Sequence, residues 1–178
     1  MDQWIIQGIG IIALIFLVIS LQKDKRKFTL MVQFISTCLF SIHFFLLNAF
    51  TGSAMNLIAA LRAFIFVERD RIKWLNKKWV MYTFIVIFWM AGIFTWTAWF
   101  SILPVIAMTF ECFSLWEKST KKLRRLLLVA RPFWITYNII VGSWAGLLTE
   151  VFFVFSILIA MFRFDFKKKK AKLIYPDF

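Results

Sequence analysis

Four ionisable side chains stand inside long apolar runs of this sequence: Arg62, Glu111, Arg131 and Glu150. Holding such a group in hydrocarbon costs at least about 2.5–3.5 kcal/mol on insertion scales, so each must be paired, neutralised or wetted. Two positive and two negative charges make a neutral set, which suggests mutual pairing. Glu111 is expected to pair with Arg62 or Arg131 and to close or brace one half of the protein. Glu150 is the sharpest residue of the four. A carboxylate near the middle of a membrane is a substrate or proton site, or else a neutral acid hydrogen-bonded in a bundle. His43 is a fifth candidate, as a proton relay. The plainer reading of a lone histidine is a satisfied core residue.

The remaining polar candidates are amides and aromatics. Gln7, Asn48, Asn56 and Asn138 can hydrogen-bond a neutral polar solute or simply join helices. Asn48 and Asn138 fall at helix ends and read first as caps; Asn56 lies deeper. Trp134 and Tyr137 are one helical turn apart, and with Phe44 and Phe45 they could stack on a planar ligand. Packing is the plainer role in a chain with 23 phenylalanines. The candidate substrate contacts are therefore Glu150, Asn56, His43, Trp134, Tyr137 and Asn138.

Enzymatic chemistry has little support. There is no nucleophile elbow, Gly-rich phosphate loop or catalytic dyad. Cys38 and Cys112 lie in apolar runs and read as packing residues. No Cys/His cluster has metal-ligand spacing. No cofactor is expected.

Helices in a bilayer must position these residues. The chain has 178 residues, is 62% hydrophobic and has a mean hydropathy of +0.79. A soluble globule of that size could not hide so much apolar surface. Spans of about 20 residues are needed to cross the hydrocarbon core. Seven are expected, over about 4–21, 28–48, 52–68, 79–96, 98–116, 124–141 and 143–163, with a break at Thr95–Thr97. The first helix is expected to be retained, because the positive charge follows the apolar run where a secretory signal carries it first.

Charge fixes the expected orientation. Of the 22 Lys and Arg residues, 20 fall in four stretches: 22–27, 68–78, 117–125 and 163–172. The alternate turns carry none. Seven crossings then place the N-terminus outside and the C-terminus in the cytoplasm. A net charge of +13 in short loops beside apolar runs forms no basic groove, so nucleic acid is excluded as a partner. The tail cluster Lys167–Lys170 suits anionic lipid headgroups at the cytoplasmic face. Trp4, Trp96, Trp99 and Trp144 are expected at the outer interface, and Trp74, Trp79 and Trp116 at the inner one. Trp89 and Trp134 would lie deeper, as packing or lining residues.

A weak internal repeat is visible. Ser20-Leu21 ends the first helix and Ser114-Leu115 the fifth; Asn48 to Gly52-Ser53 has the spacing of Asn138 to Gly142-Ser143. Two copies of three helices in the same orientation need one extra crossing between them. The expected plan is repeat one over about 4–68, a linker helix at 79–96, repeat two at 98–163 and a basic tail at 164–178.

Gln7-Gly8-Ile9-Gly10, the basic loop at 23–27, Ile42 to Leu47, Ala60-Leu61-Arg62-Ala63 and Trp144 to Glu150 resemble the bacterial inner-membrane YgjV family over nearly the whole chain. The resemblance implies a polytopic inner-membrane protein and little about activity. More distantly, the plan resembles the SWEET, PQ-loop and nicotinamide-riboside transporter group. This chain departs from that group in lacking a Pro-Gln pair and prolines in its first two helices. In that group prolines act as hinges; here Pro104 and Pro132 remain, and Gly10 aligns with Pro104. A glycine can bend one helix where proline bends the other.

Two principal readings follow. The first is a transporter of a small polar solute, facilitated or proton-coupled, with its site between the two repeats. The second is an accessory, scaffolding or lipid-interacting protein, with paired charges, no central cavity and an apolar face that takes lipid or a second copy in a homo-oligomer. A membrane enzyme is a weaker third.

Overall fold

A computed structural model describes residues 2–20, 26–68 and 71–166. Lys23, Lys25, Arg69, Lys167–Lys170 and Lys172 lie outside the described residues. Among the described residues the protein is all-helical, with seven α-helices and no strand. They are α1 (Gln3–Ser20), α2 (Arg26–Leu46), α3 (Phe50–Glu68), α4 (Lys78–Phe94), α5 (Ile102–Trp116), α6 (Thr120–Ile140) and α7 (Trp144–Met161). A 3-10 turn, Trp99–Ser101, leads into α5, and a π turn, Phe162–Phe166, follows α7.

The breaks have local causes. Thr95 ends α4 by turning its hydroxyl onto the Ala91 carbonyl at 2.7 Å. Ser101 Oγ then accepts the Thr97 and Ala98 amides, so the expected break at Thr95–Thr97 is made by hydroxyl groups. Pro104 sits in the first turn of α5, where a helix leaves its own amides unpaired. Pro132 lies inside α6, which continues across it.

The two short turns are built alike. Asn48 has φ 58° and Gly142 φ 70°, the left-handed conformation that ends helices and that only Gly, and next Asn, adopt readily. Ala49 N–H donates to Phe44 O, and Ser143 N–H donates to Asn138 O, both at 2.9 Å. Leu47 to His43 matches Val141 to Tyr137, and Ser53 to Ala49 matches Leu147 to Ser143. Every one of these pairs lies 94 positions apart. The same offset carries α2 onto α6 residue for residue and relates Ser20 to Ser114 and Gly10 to Pro104. The expected equivalence of Asn48 with Asn138 is therefore corrected. Asn48 is matched by Gly142, because the turn requires a left-handed residue and not a particular side chain.

The helices close into a ring. α1 packs on α2, α2 on α3, α3 on α5, α5 on α6, α6 on α7, and α7 back on α1. α4 packs against α3 and α5 and takes no place in the ring. Glycines let the backbones approach, as in membrane bundles. A Cβ on Gly92 would run into Val105, and one on Gly10 into Ala145 and the His43 ring. Gly10 is thus a close-packing point between α1, α2 and α7.

Polarity is inverted relative to a water-soluble fold. Arg62, Arg131 and Glu150 are buried, while Phe64, Val86, Ile93, Phe155 and Ile159 are exposed. Trp4, Trp96, Trp99 and Trp144 are exposed at the end bearing the short turns, and Trp74 and Trp79 stack at the opposite end. Trp116 is half-buried against Phe66. Trp89 departs from expectation: it faces outward on α4 and donates to Thr109 Oγ1.

Candidate functional site

All six ring helices, and not α4, line a cavity of about 510 Å³. Its walls run from Asn138 and Gly146, near the short-turn end, to Gln33, Leu115 and Leu127, near the other. Lining residues recur at the offset of 94. Leu17 and Glu111, Thr37 and Arg131, Phe40 and Trp134, Phe44 and Asn138, and Asn56 and Glu150 all face it in such pairs.

The four intramembrane charges form one chain along this wall. Arg62 Nη2 donates to Glu111 Oε2 at 3.3 Å. Arg131 Nη2 donates to Glu111 Oε1. Arg131 Nη1 donates to Glu150 Oε2 at 3.0 Å. Glu111 therefore pairs with both arginines expected for it, and Arg131 also draws in Glu150. The side chains are 4–13% exposed, so the pairs stand largely out of solvent. Arg62 also lies over the Phe88 ring and Arg131 over Phe153, at 5.3 and 5.4 Å. Each charge is matched at the offset by a neutral residue: Ser156 for Arg62, Leu17 for Glu111, Thr37 for Arg131 and Asn56 for Glu150.

The two arginines are satisfied unequally. Arg131 spends its Nε–H on the Leu127 carbonyl at 3.1 Å. The carbonyl that Pro132 leaves without its helical partner is that of Leu128, so Pro132 does not supply this bond. Arg62 makes one carboxylate bond. Among the described residues its Nη1 meets only Cys112 Sγ at 3.4 Å and Met108 Sδ at 3.7 Å, which are weak acceptors. Its buried Nε has no hydrogen-bond partner among the described residues.

The six candidate substrate contacts divide. Glu150, Asn56, Trp134 and Asn138 line the cavity. Asn56 Nδ2 donates back to the Gly52 carbonyl, and Asn138 Oδ1 is buried without a hydrogen-bond partner among the described residues. His43 and Tyr137 sit behind the wall. His43 Nδ1 donates to the Ile6 carbonyl at 2.8 Å, which can only accept. Its Nε2 then accepts from Ser143 Oγ at 2.8 Å, and Ser143 Oγ accepts the Gly146 amide. Tyr137, 94 positions after His43, accepts the Gly52 amide at 2.9 Å. Both rings thus serve helix N-termini. Phe44 stacks on Trp134 at 6.0 Å, while Phe45 faces outward against Phe50. Gln7 caps α7, donating to Gly142 O and accepting the Ala145 amide.

Thr37, Phe40 and Thr149 also line the cavity and were not singled out in the sequence. A threonine or phenylalanine has no distinguishing signal in so apolar a chain. Aligning the chain on itself at 94 would have found Thr37 opposite Arg131. No group of three or more His, Cys, Asp or Glu suited to a metal gathers among the described residues.

No solved structure matches the chain. The family Imp-YgjV, described as a bacterial inner membrane protein, matches residues 4–168. The chain belongs to the YgjV family. The Inner membrane protein YgjV of Escherichia coli (strain K12) is 27% identical over 148 residues, which cover 83% of this chain and 77% of that protein. As a YgjV-family protein the chain resides in the bacterial inner membrane. That setting accounts for the exposed apolar faces of the ring. It also raises the stakes of the buried charges: in lipid an ionic network is kept only where it lines water, ligand or protein. In this YgjV-family protein the network lines a central cavity.

Proposed function

We propose that the protein is a transporter of a small polar solute, facilitated or proton-coupled, with its site in the central cavity. Two three-helix repeats, α1–α3 and α5–α7, rock about it, and α4 is the linker. The N-terminus is outside and the C-terminus is cytoplasmic. The observation that carries this reading is the cavity itself. It is lined by both sets of three helices at one uniform offset, and the chain's four intramembrane charges stand on its wall. Parallel repeats with a site between them are a recurring transporter plan. About 510 Å³ falls in the range of small-molecule sites. The matching neighbours in the ring, with α1 on α7 answering α5 on α3, also support a two-fold plan. Anionic lipids at the basic cytoplasmic ends are the expected bilayer partners.

The accessory or scaffolding reading expects paired charges, and all four are paired. It does not expect a central cavity. The two readings separate in a ligand-stabilisation screen on purified full-length protein with vitamins, nucleosides, sugars, amino acids and organic acids. Ligand at 100 times its Kd should stabilise the folded state by about 2.7 kcal/mol. A hit altered in Glu150→Gln supports the transporter. A blank panel, with Glu150→Gln merely less stable, favours the accessory protein, for which a homo-oligomer is then the natural form.

A further inference from the structure

We propose that the cavity takes a small monocarboxylate with an apolar or aromatic body, together with one proton, and that it rejects cations. The inference rests on the transporter reading and names its substrate class and coupling. It starts from the under-used fork of Arg62. A guanidinium offers five N–H donors shaped for bidentate carboxylate binding. Arg62 spends them on one carboxylate oxygen and two sulfur atoms, and its buried Nε has no partner among the described residues. A solute carboxylate is the group that would complete this fork. The apolar body has its own wall in Phe40, Phe44, Trp134 and Phe153, all lining the same cavity.

Charge accounting supplies the coupling. Arg62, Glu111, Arg131 and Glu150 sum to zero, and a net charge in a largely dehydrated cavity is costly. An entering anion leaves the cavity at minus one unless a carboxylate takes a proton. An entering cation leaves it at plus one, and arginine has no proton to give up. The network can therefore absorb an anion with a proton and cannot absorb a cation. The proton goes to Glu150. Glu111 is held by two arginines and Glu150 by one. The proton comes from water and adds to the Glu150 carboxylate; no other bond is made or broken. Arg131 keeps Glu111, and Arg62 takes the solute. The ionisable groups around Glu150 are few. α6 presents Arg131, α5 Glu111 and α3 Arg62, and α1 has none over Gln3–Ser20. In the π turn Asp165 is engaged by Arg124, with Arg163 beside it. On α2 His43 is bound to Ile6 and Ser143.

The test uses three probes with one shape and three charges: benzoate, benzamide and benzamidinium. Their binding to full-length protein is measured calorimetrically in two buffers of different ionisation enthalpy, between pH 6 and 8. Benzoate should bind best and take up as much as one proton per molecule, most at the alkaline end, with its Kd weakening as pH rises and by no more than about tenfold per unit. In Glu150→Gln, where the amide stands in for the protonated acid, benzoate binding should persist with no proton uptake and a flat pH profile. The wild-type proton count decides the question even if that variant fails to fold. Benzoate binding without proton uptake overturns the coupling. Tighter binding of benzamide or benzamidinium overturns the substrate class. Failure of all three, with a hit elsewhere in the broad screen, overturns this inference and leaves the transporter standing; failure of both sets removes both.

Discussion

The Tyr137 hydroxyl, on α6, accepts the backbone amide of Gly52 in the first turn of α3 at 2.9 Å. That amide is one of the donors a helix N-terminus cannot satisfy within itself. The bond joins the end of α6 to the start of α3. His43 and Gly146 are linked through Ser143 in the reciprocal position. Tyr137→Phe should cost about 1–2 kcal/mol by orphaning the amide. Because Tyr137 is not on the cavity wall, ligand affinity should hold. Thermal unfolding in detergent, run beside the binding assay, checks both halves of that statement.

The ion chain predicts an order of damage. Glu111→Gln strands Arg62, leaves Arg131 only its bond to Glu150, and should cost about 3–5 kcal/mol, the usual price of breaking a buried pair. Glu150→Gln leaves Arg131 its bond to Glu111 and should cost less, about 1–3 kcal/mol. Arg131→Gln should be milder in the Glu111→Gln background than in wild type, with a coupling of at least about 1 kcal/mol. A double-mutant cycle that comes out additive would mean the contacts contribute nothing jointly.

The left-handed turns predict an exchange. Gly142→Asn should change stability by no more than about 0.5 kcal/mol, since Asn48 holds the same φ in the equivalent turn. Gly142→Val should cost at least about 1–2 kcal/mol, because a β-branched side chain is strained there. Equal losses for both substitutions, read from denaturation midpoints, would break the equivalence.

Arg124 and Asp165 tie the start of α6 to the turn after α7. Asp165→Asn should lower the melting temperature, and the loss should shrink as salt is raised. The charge-swapped pair Arg124→Asp with Asp165→Arg should recover part of it. An Asp165→Asn effect independent of salt would point to packing of Phe164 instead.

Much of this arrangement was legible in the chain. Seven apolar runs, the Thr95–Thr97 break and the neutral set of four charges all have strong physical signatures, because hydrocarbon penalises exceptions severely. The register between the halves was harder to see. Asn48 and Asn138 share a residue type but not a place, whereas Asn48 and Gly142 share a backbone conformation, which a comparison of letters does not register. The cavity wall was half visible. Glu150 and Asn56 stand out as polar groups in apolar runs. His43 and Tyr137 stand out equally but spend their polar atoms on helix ends, and only the three-dimensional packing separates the two cases.

The offset of 94 relates the shape of the two walls and not their polarity. Each of the four charges is matched at the offset by a neutral residue, and three of these, Leu17, Thr37 and Asn56, line the cavity. A symmetric site could hold an elongated solute either way round. This one is not symmetric, since α5, α6 and α7 bring both carboxylates and Arg131, whereas α1, α2 and α3 bring Arg62 alone among amide, hydroxyl and phenyl groups. A molecule taken up there would have a head and a tail, and a solute that crosses without turning would keep the same end in front from entry to exit.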